Sequence, residues 1–360
     1  MKTYRVAIVG LGRMGSTIDD ELPASTRPFS IAAACRATDR LELVAGADIL
    51  PQRRVAFQQK WGVEAVYEDY MEMVEKQRPD MVAVCTTATG IPKPGNRAPS
   101  RTFRSDAHAE IATRLANARV PMLYVEKAMA CSMKAADDVL EACHANGTVL
   151  NTGVLHRFDN RMHVVRDAIK QGRIGEPKAA VHYAFTTVMH MHIHSIDTLS
   201  YLLGDPGITA VRGELRPRDL NIEDNRLDED PRGTYQLIFA NGVEASNVPA
   251  GPYEYEVLGA DGTIRSNNDG SEPELRRARK EAEGTVWRPE PLPEVKPKSP
   301  TLFCLEDLVE AHETGRPPLG NVDVAHHITE AVLAVAESHR RGGAWVDLPL
   351  ENRDMYVFHV

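Results

Sequence analysis

Cysteine is scarce in this 360-residue chain, and there is no excess of positive charge. The five cysteines lie far apart and form no Cys-x-x-Cys pair, so we expect reduced thiols in a cytoplasmic protein rather than a disulfide framework. The formal net charge is −9, which argues against a nucleic-acid partner. We interpret the short basic run at residues 276–280 as the solvent-exposed face of a helix.

Long apolar runs are missing as well. No stretch reaches the roughly 20 apolar residues that a membrane-spanning helix needs. The first residues lead directly into a short strand-like segment without a signal-peptide core, so we expect no membrane partner. Hydrophobic residues make up 42% and charged residues 26% of the chain, as in ordinary globular proteins, and its length suits two domains.

Short apolar strands alternate with helical segments in the first part of the chain. The predicted strands are residues 6–9, 43–47, 81–85 and 121–125. The predicted helices are residues 30–39, 51–60, 68–76 and 106–117. This alternation predicts an α/β Rossmann domain with a doubly wound parallel sheet over residues 1–128. A loop at 88–104 follows a strand end, where it either covers a ligand site or is a neutral insertion.

The pattern changes after residue 130. Helices are predicted at 133–146, 160–171, 302–314 and 321–341. Strands are predicted at 177–189, 208–215, 234–240, 243–248 and 253–259, with tight turns at Asn241-Gly242 and Asp261-Gly262 and an extended Pro-rich stretch at 286–300. Successive strands with short turns predict an α+β domain with a mainly antiparallel open sheet over residues 129–360.

A glycine-rich segment directly follows the first strand, with the sequence Gly10-Leu11-Gly12-Arg13-Met14-Gly15. Gly10 permits a tight turn, Gly12 lets the backbone approach a pyrophosphate, and Gly15 lets the next helix pack closely. The N–H groups at the start of that helix, near Arg13 and Met14, would face the phosphates. This context predicts a dinucleotide site.

Asp48 ends the second strand, where a carboxylate accepts hydrogen bonds from ribose hydroxyls and repels a 2′-phosphate. We therefore expect NAD rather than NADP as the cofactor, although the nearby Arg53 and Arg54 weaken that preference. Thr86 and Thr87 end the third strand and are candidates for lining the nicotinamide ribose.

The densest group of titratable residues lies at 190–197, with His190, His192, His194 and Asp197. In an extended segment the three imidazoles would share one face and offer a metal site, but a helix that begins near residue 195 argues against this arrangement. We therefore predict no metal. A histidine here also suits proton transfer near neutral pH.

The segment Tyr124-Val125-Glu126-Lys127-Ala128 resembles the Glu-Lys-Pro motif of the Gfo/Idh/MocA oxidoreductases. Other segments resemble that family in the same order along essentially the whole chain, among them 106–110, 172–176, 315–318 and His194-Ser195-Ile196-Asp197. The resemblance implies NAD(P)-dependent oxidation or reduction of a sugar, cyclitol or related polyol, and a homodimer or homotetramer. It places Glu126 and Lys127 at the cofactor and makes Lys127 and His194 catalytic candidates.

Two positions depart from the family pattern. Ala128 stands where the motif has Pro, and His190 stands where inositol-dehydrogenase-like members carry Asp. His190 is therefore expected to take the place of that Asp, in contact with substrate hydroxyls or in the proton relay. His192 is expected to have a structural role.

Alcohol oxidation needs a group that accepts the hydroxyl proton and a group that stabilises charge on the oxygen. His194 is the candidate for the first task and Lys127 for the second. Asp197 either orients His194, binds a substrate hydroxyl, or begins a helix. Arg157 either holds the substrate or forms a structural salt bridge. Two other functions stay open: an NAD-dependent glycosidase that oxidises its sugar transiently, and a non-catalytic NAD-binding regulator.

Overall fold

The computed structural model describes residues 2–23, 28–86 and 107–359, which form two compact units. Unit 1 comprises Met1–Leu155, Lys298–His326 and His359–Val360, and unit 2 comprises His156–Pro297 and His327–Phe358. Thr87 and the loop at 88–104 lie outside the described residues. No helix within these described ranges is long and apolar enough to cross a membrane.

Helices and strands are numbered in chain order. The α-helices are α1 (Ile31–Arg36), α2 (Pro51–Trp61), α3 (Tyr70–Gln77), α4 (Ala107–Asn117), α5 (Met133–Asn146), α6 (Asn160–Lys170), α7 (Ile193–Leu203), α8 (Pro300–Thr314) and α9 (Val322–Arg340). The strands are β1 (Tyr4–Val9), β2 (Leu41–Ala47), β3 (Val66–Tyr67), β4 (Met81–Val84), β5 (Met122–Val125), β6 (Val149–Thr152), β7 (Pro177–Tyr183), β8 (Ile208–Arg216), β9 (Arg226–Leu227), β10 (Arg232–Phe239), β11 (Glu244–Val248), β12 (Glu254–Gly259), β13 (Gly262–Asn267), β14 (Glu272–Glu281), β15 (Gly284–Glu290), β16 (Val346–Asp347) and β17 (Tyr356–Val357).

Unit 1 contains the predicted doubly wound sheet. Its six strands are all parallel, in the order β3-β2-β1-β4-β5-β6. Every residue of β4 and β5 is buried, as a continuous apolar run predicts for central parallel strands. The expected domain boundary at residue 128 falls inside this unit, because β6 pairs with β5 and extends the sheet beyond it.

Unit 2 contains a nine-stranded sheet in the order β15-β14-β13-β12-β7-β11-β10-β8-β16. Neighbouring strands are antiparallel except for β7 and β11, so the prediction of a mainly antiparallel sheet is confirmed. Asn241-Gly242 turns between β10 and β11, and Gly242 has a positive φ of 81°. Asp261 precedes β13 at the second predicted turn, between β12 and β13.

Three local predictions were wrong. Residues 276–280 lie in β14 rather than on a helix, and Arg279 forms a cross-strand ion pair with Glu290. The strand predicted at 177–189 ends at Tyr183, and a π-helical turn follows at Val188–His192. The glycine-rich segment opens onto a π-helical turn at Arg13–Thr17 and a 3-10 turn at Ile18–Asp20 instead of a regular α-helix.

Candidate functional site

The glycine-rich segment forms a cradle at the carboxyl end of β1. Gly10 has a φ of +92°, and a Cβ there would lie 2.6 Å from the Cys85 carbonyl carbon and oxygen. A Cβ on Gly15 would lie 2.1 Å from the Gly10 carbonyl oxygen. Gly12 caps the following turn, and its carbonyl accepts from the Ser16 N–H at 2.8 Å. Side chains at Gly10 and Gly15 would push this backbone out of the shape that a pyrophosphate needs.

Asp48 lies beside the cradle and is almost completely buried. Its two carboxylate oxygens accept from the main-chain N–H groups of Leu11 and Leu50, each at 2.9 Å. The Arg53 guanidinium lies 3.5 Å from the same carboxylate, and its Nη1 would lie 3.3 Å from a Cβ on Gly12. The carboxylate is therefore fixed at the edge of the cradle, where a ribose would approach.

The ends of β4 and β5 place Thr86 and Lys127 at the same edge of the sheet as the cradle, because parallel strands end together. The His108 ring joins these two ends: Nε2 lies 2.5 Å from the Thr86 carbonyl oxygen and Nδ1 lies 2.9 Å from that of Ala128. Lys127 is partly exposed, and the peptide bond between it and Ala128 is cis.

Glu126 points away from solvent. Its carboxylate accepts a hydrogen bond from the Tyr124 hydroxyl, and both groups would contact a Cβ on Gly153 at 3.0 Å or less. Burial, together with the charge of Glu126, raises the pKa of Tyr124 well above its ordinary value. These contacts give Glu126 a buried partner next to Lys127.

The residues of unit 1 fit a dinucleotide. A Cβ at Gly10 or Gly15 would fill the cradle. The Asp48 carboxylate is oriented so that it could accept hydrogen bonds from ribose hydroxyls. The Thr86 Oγ1 atom is buried, and no hydrogen-bond partner for it occurs among the described residues. A buried hydroxyl normally has a partner, so Thr86 is suited to bind a group that arrives with the ligand.

The segment that carries His190, His192 and His194 is helical rather than extended, so the three rings do not share the face that an extended segment would give them. The Asp230 carboxylate accepts the N–H groups of Met189 and His190 at 2.8 and 2.7 Å, so the chain turns into a helix before His192. His190 is exposed, His192 is buried, and His194 is partly exposed in α7. Over residues 2–23, 28–86 and 107–359, no three His, Cys, Asp or Glu side chains are grouped to hold a metal ion.

His192 and His182 lie in a buried cluster with Tyr235. His192 Nε2 donates to the Gly233 carbonyl at 2.9 Å, and Nδ1 lies 3.1 Å from Ser195 Oγ. Burial lowers the pKa of His192 to about 4 and that of His182 to about 2, the latter with help from His192. Both rings are therefore neutral packing groups near pH 7, as expected for His192.

Arg157 is completely buried and forms salt bridges. Of the two roles that the sequence left open for it, this is the structural one. Its guanidinium lies 2.7 Å from Asp197 and 2.8 Å from Asp205. Burial raises the pKa of Asp197 although the charge of Arg157 opposes the change. Asp197 lies within α7 and faces Arg157, so its carboxylate is used to hold the Leu155–Phe158 turn against that helix.

Sequence reasoning missed the residues that surround His156, whose ring centroid lies 5.9 Å from that of His194. His156 contacts Thr198 of α7 and Asp269 of the turn after β13. The rings of Tyr253 and Tyr255 lie 6.0 and 5.8 Å from the His156 ring. These contacts join positions about 40 to 110 residues apart, and the chain carries no local signal for them apart from the Asn-Asp-Gly turn at 268–270.

Comparison with known proteins identifies the family. Residues 4–154 match the Gfo/Idh/MocA family described as an oxidoreductase family with an NAD-binding Rossmann fold. Residues 180–348 match the C-terminal alpha/beta domain of the same oxidoreductase family. These matches cover most of the chain, which therefore belongs to the Gfo/Idh/MocA oxidoreductases and carries their NAD-binding domain.

Similar proteins with assigned activities include two inositol dehydrogenases. A scyllo-inositol 2-dehydrogenase (NAD(+)) of Bacillus subtilis is 24% identical over 94% of both chains. A myo-inositol 2-dehydrogenase of Thermotoga maritima is 23% identical over 56% of this chain, and the chain spans only 55% of that relative. Among solved structures, the aldose-aldose oxidoreductase of Caulobacter crescentus has a TM-score of 0.74 at 20% identity and covers 96% of this chain and 100% of its own. That likeness confirms the fold.

Proposed function

We propose that this chain catalyses the NAD-dependent oxidation of a ring secondary alcohol of a cyclitol or sugar, or the reverse reduction. The main support is the position of Lys127, which ends a completely buried strand at the same sheet edge as the glycine cradle and Asp48. The two relatives named as inositol 2-dehydrogenases favour a polyol substrate. Charged residues at the carboxyl ends of buried parallel strands are typical of catalytic sites.

The unit 1 residues would bind and orient the cofactor. Gly10, Gly12, Gly15 and the turn that carries Arg13 and Met14 would hold the pyrophosphate. Asp48 would accept from a ribose hydroxyl, and Thr86, with Thr87 beyond the described residues, would line the nicotinamide side. NAD supplies the hydride acceptor when bound. Glu126 would act at the cofactor only indirectly, since its carboxylate already holds the Tyr124 hydroxyl beside Lys127.

Lys127 and His194 would handle the reacting hydroxyl. The Lys127 ammonium would donate a hydrogen bond to the reacting oxygen and stabilise negative charge that develops there. The His194 imidazole would accept the hydroxyl proton. His190 is exposed beside this segment, and we propose that it contacts a substrate hydroxyl where relatives have Asp. Asp197 and Arg157 would act through position only, because each is buried against the other.

The test is a screen of inositols, sugars and glycosides with NAD and NADP, read by the absorbance of the reduced cofactor. The wild type should reduce NAD with at least one polyol, and Lys127→Ala should lower kcat/KM by at least about a hundredfold. Lys134→Ala, an exposed lysine on α5, is the matched control and should behave like the wild type.

Other outcomes of the screen would replace this proposal. Full activity in Lys127→Ala would remove the lysine from the mechanism. Release of an aglycone without net reduction of NAD would identify a glycosidase that oxidises its sugar transiently. Tight NAD binding without turnover of any polyol or glycoside would identify a regulator.

A further inference from the structure

The nearest group to each nitrogen of the His156 ring is placed to accept a hydrogen bond. Nε2 lies 3.0 Å from Asp269 Oδ1, and an ionised carboxylate has no hydrogen to donate. Nδ1 lies 3.0 Å from Thr198 Oγ1, whose single hydrogen goes to the His194 carbonyl oxygen at 2.7 Å. This arrangement favours an imidazolium, in which both nitrogens carry a hydrogen. The Tyr255 hydroxyl can donate to Nδ1, but it lies farther away, at 3.3 Å.

The charges around the ring agree with this geometry. Burial opposes a charge on His156, but the hydrogen bond and the charge of Asp269 outweigh it, so the pKa of His156 is raised above its ordinary value. The titratable groups that face His156 come from several elements: Asp159, His182, His194, Asp197, Tyr253, Tyr255 and Asp269. Of these groups, only the carboxylates favour a positive charge on the His156 ring, and Asp269 is the carboxylate that contacts the ring directly.

The turn that carries Asp269 is built in an unfavourable backbone conformation. Asn268, Asp269 and Gly270 have φ values of 49°, 53° and 82°. The turn is fixed nonetheless, because the Asn268 N–H donates to Glu254 Oε1 at 3.0 Å and Gly270 packs so closely on Met162 that a Cβ would lie 2.6 Å from its Cε. Strain held in place by several contacts is a feature of functional sites, and here its product is the contact between Asp269 and His156.

We propose that His156 and Asp269 form a fixed ion pair, in which the His156 imidazolium positions His194 and keeps its ring neutral. The ring centroids of His156 and His194 lie 5.9 Å apart, close enough for one positive charge to disfavour a second. Thr198 also links the pair to the His194 main chain. This inference rests on the proposed function, in which His194 accepts the substrate proton and must be neutral to do so. His156 and Asp269 are thus positioning residues.

The kinetic test compares pH profiles of kcat/KM for polyol oxidation in the full-length enzyme. In Asp269→Asn and His156→Gln the acidic limb should move to higher pH by about one pH unit, because His194 then gains a proton more easily. The KM for NAD should not change. His156→Arg, which restores a permanent cation, should return the limb to its wild-type position. Asp219→Asn, an exposed carboxylate of unit 2, is the control.

A direct test needs no substrate. NMR titration of the imidazole Cε1–H resonances, assigned with His156→Gln and His194→Gln, follows both rings in the protein alone. In the wild type His156 should lose its proton at higher pH than His194, and Asp269→Asn should bring the two midpoints together. Unmoved midpoints would overturn the pair, whether or not any polyol is oxidised. If the NMR midpoints shifted but the pH profile of kcat/KM did not, the His156–Asp269 pair would be only a structural link, and its positioning role would be wrong.

Discussion

At the scale of single residues, Asp48 is the residue that we propose determines the choice between NAD and NADP. Its carboxylate is held by two main-chain N–H groups, so it would meet the ribose already oriented. We expect Asp48→Asn to lower the ratio of kcat/KM with NAD to that with NADP by about tenfold or more, the worth of one charged hydrogen bond. The measurement is steady-state kinetics with each cofactor at saturating polyol.

Asp39→Asn is the matched control for this change, since Asp39 is an exposed carboxylate just before β2. It should leave the ratio unchanged. Arg53 lies 3.5 Å from Asp48 and is released when the carboxylate is lost, so a gain in NADP use should accompany the loss in NAD use. An unchanged ratio in Asp48→Asn would show that another group selects the cofactor.

At the scale of elements, the cradle depends on close packing between β1 and the turn that follows it. We expect Gly15→Ala to weaken NAD binding by about tenfold or more, because its Cβ would lie 2.1 Å from a backbone oxygen that cannot rotate away. Gly147→Ala is the control: Gly147 caps the C-terminal end of α5 in unit 1, and nothing lies within 4 Å of its Cβ position. Binding is measured by calorimetry, and equal affinities in the two variants would contradict the prediction.

Arg157 links the Leu155–Phe158 turn to α7 through Asp197, and this link should determine stability rather than substrate affinity. Arg157→Met leaves Asp197 buried without its counter-charge and should lower the free energy of unfolding by about 3–5 kcal/mol. Arg161→Met removes the partly exposed pair with Asp159 and should cost no more than about 1 kcal/mol. Urea titration checks both values. A stable Arg157→Met variant with only a raised KM for polyol would restore the substrate-binding alternative.

The same elements show how far the sequence predicts the structure. Four of the six strands of the unit 1 sheet are predicted, because continuous apolar runs such as residues 81–84 leave few alternatives, whereas β3 and β6 are not. The turn at Val188–His192 cannot be predicted in this way. It depends on the Asp230 carboxylate, which lies about 40 residues further along the chain and accepts hydrogen bonds from the N–H groups of the turn. His194 can be proposed from its motif, but its link to Asp269 through His156 requires three distant elements to meet.

At the scale of the whole molecule, we expect two buried histidines to contribute to the loss of stability in acid. The pKa of His192 is lowered to about 4 and that of His182 to about 2, against 6.5 for an exposed ring. Above pH 6.5 both rings are neutral in the folded and unfolded chain alike. As the pH falls below that value, only the unfolded chain binds the protons, so stability is lost down to the pKa of each folded ring. We expect a loss of about 1.4 kcal/mol per pH unit for each histidine.

The slope should therefore depend on these two rings in a measurable way. Removing one titrating ring with His192→Gln should reduce the dependence of the unfolding free energy on pH by about 1.4 kcal/mol per pH unit between pH 6 and 4, even though the variant starts from lower stability. Val55→Ala changes an exposed side chain that does not titrate and should leave the slope unchanged. Urea titrations at several pH values give both slopes. If the unfolding free energy depended on pH equally in the wild type and in His192→Gln, the prediction would be wrong. His192 would then take up its proton in the folded protein, and its hydrogen bonds to Gly233 and Ser195 would open at acid pH without unfolding the chain.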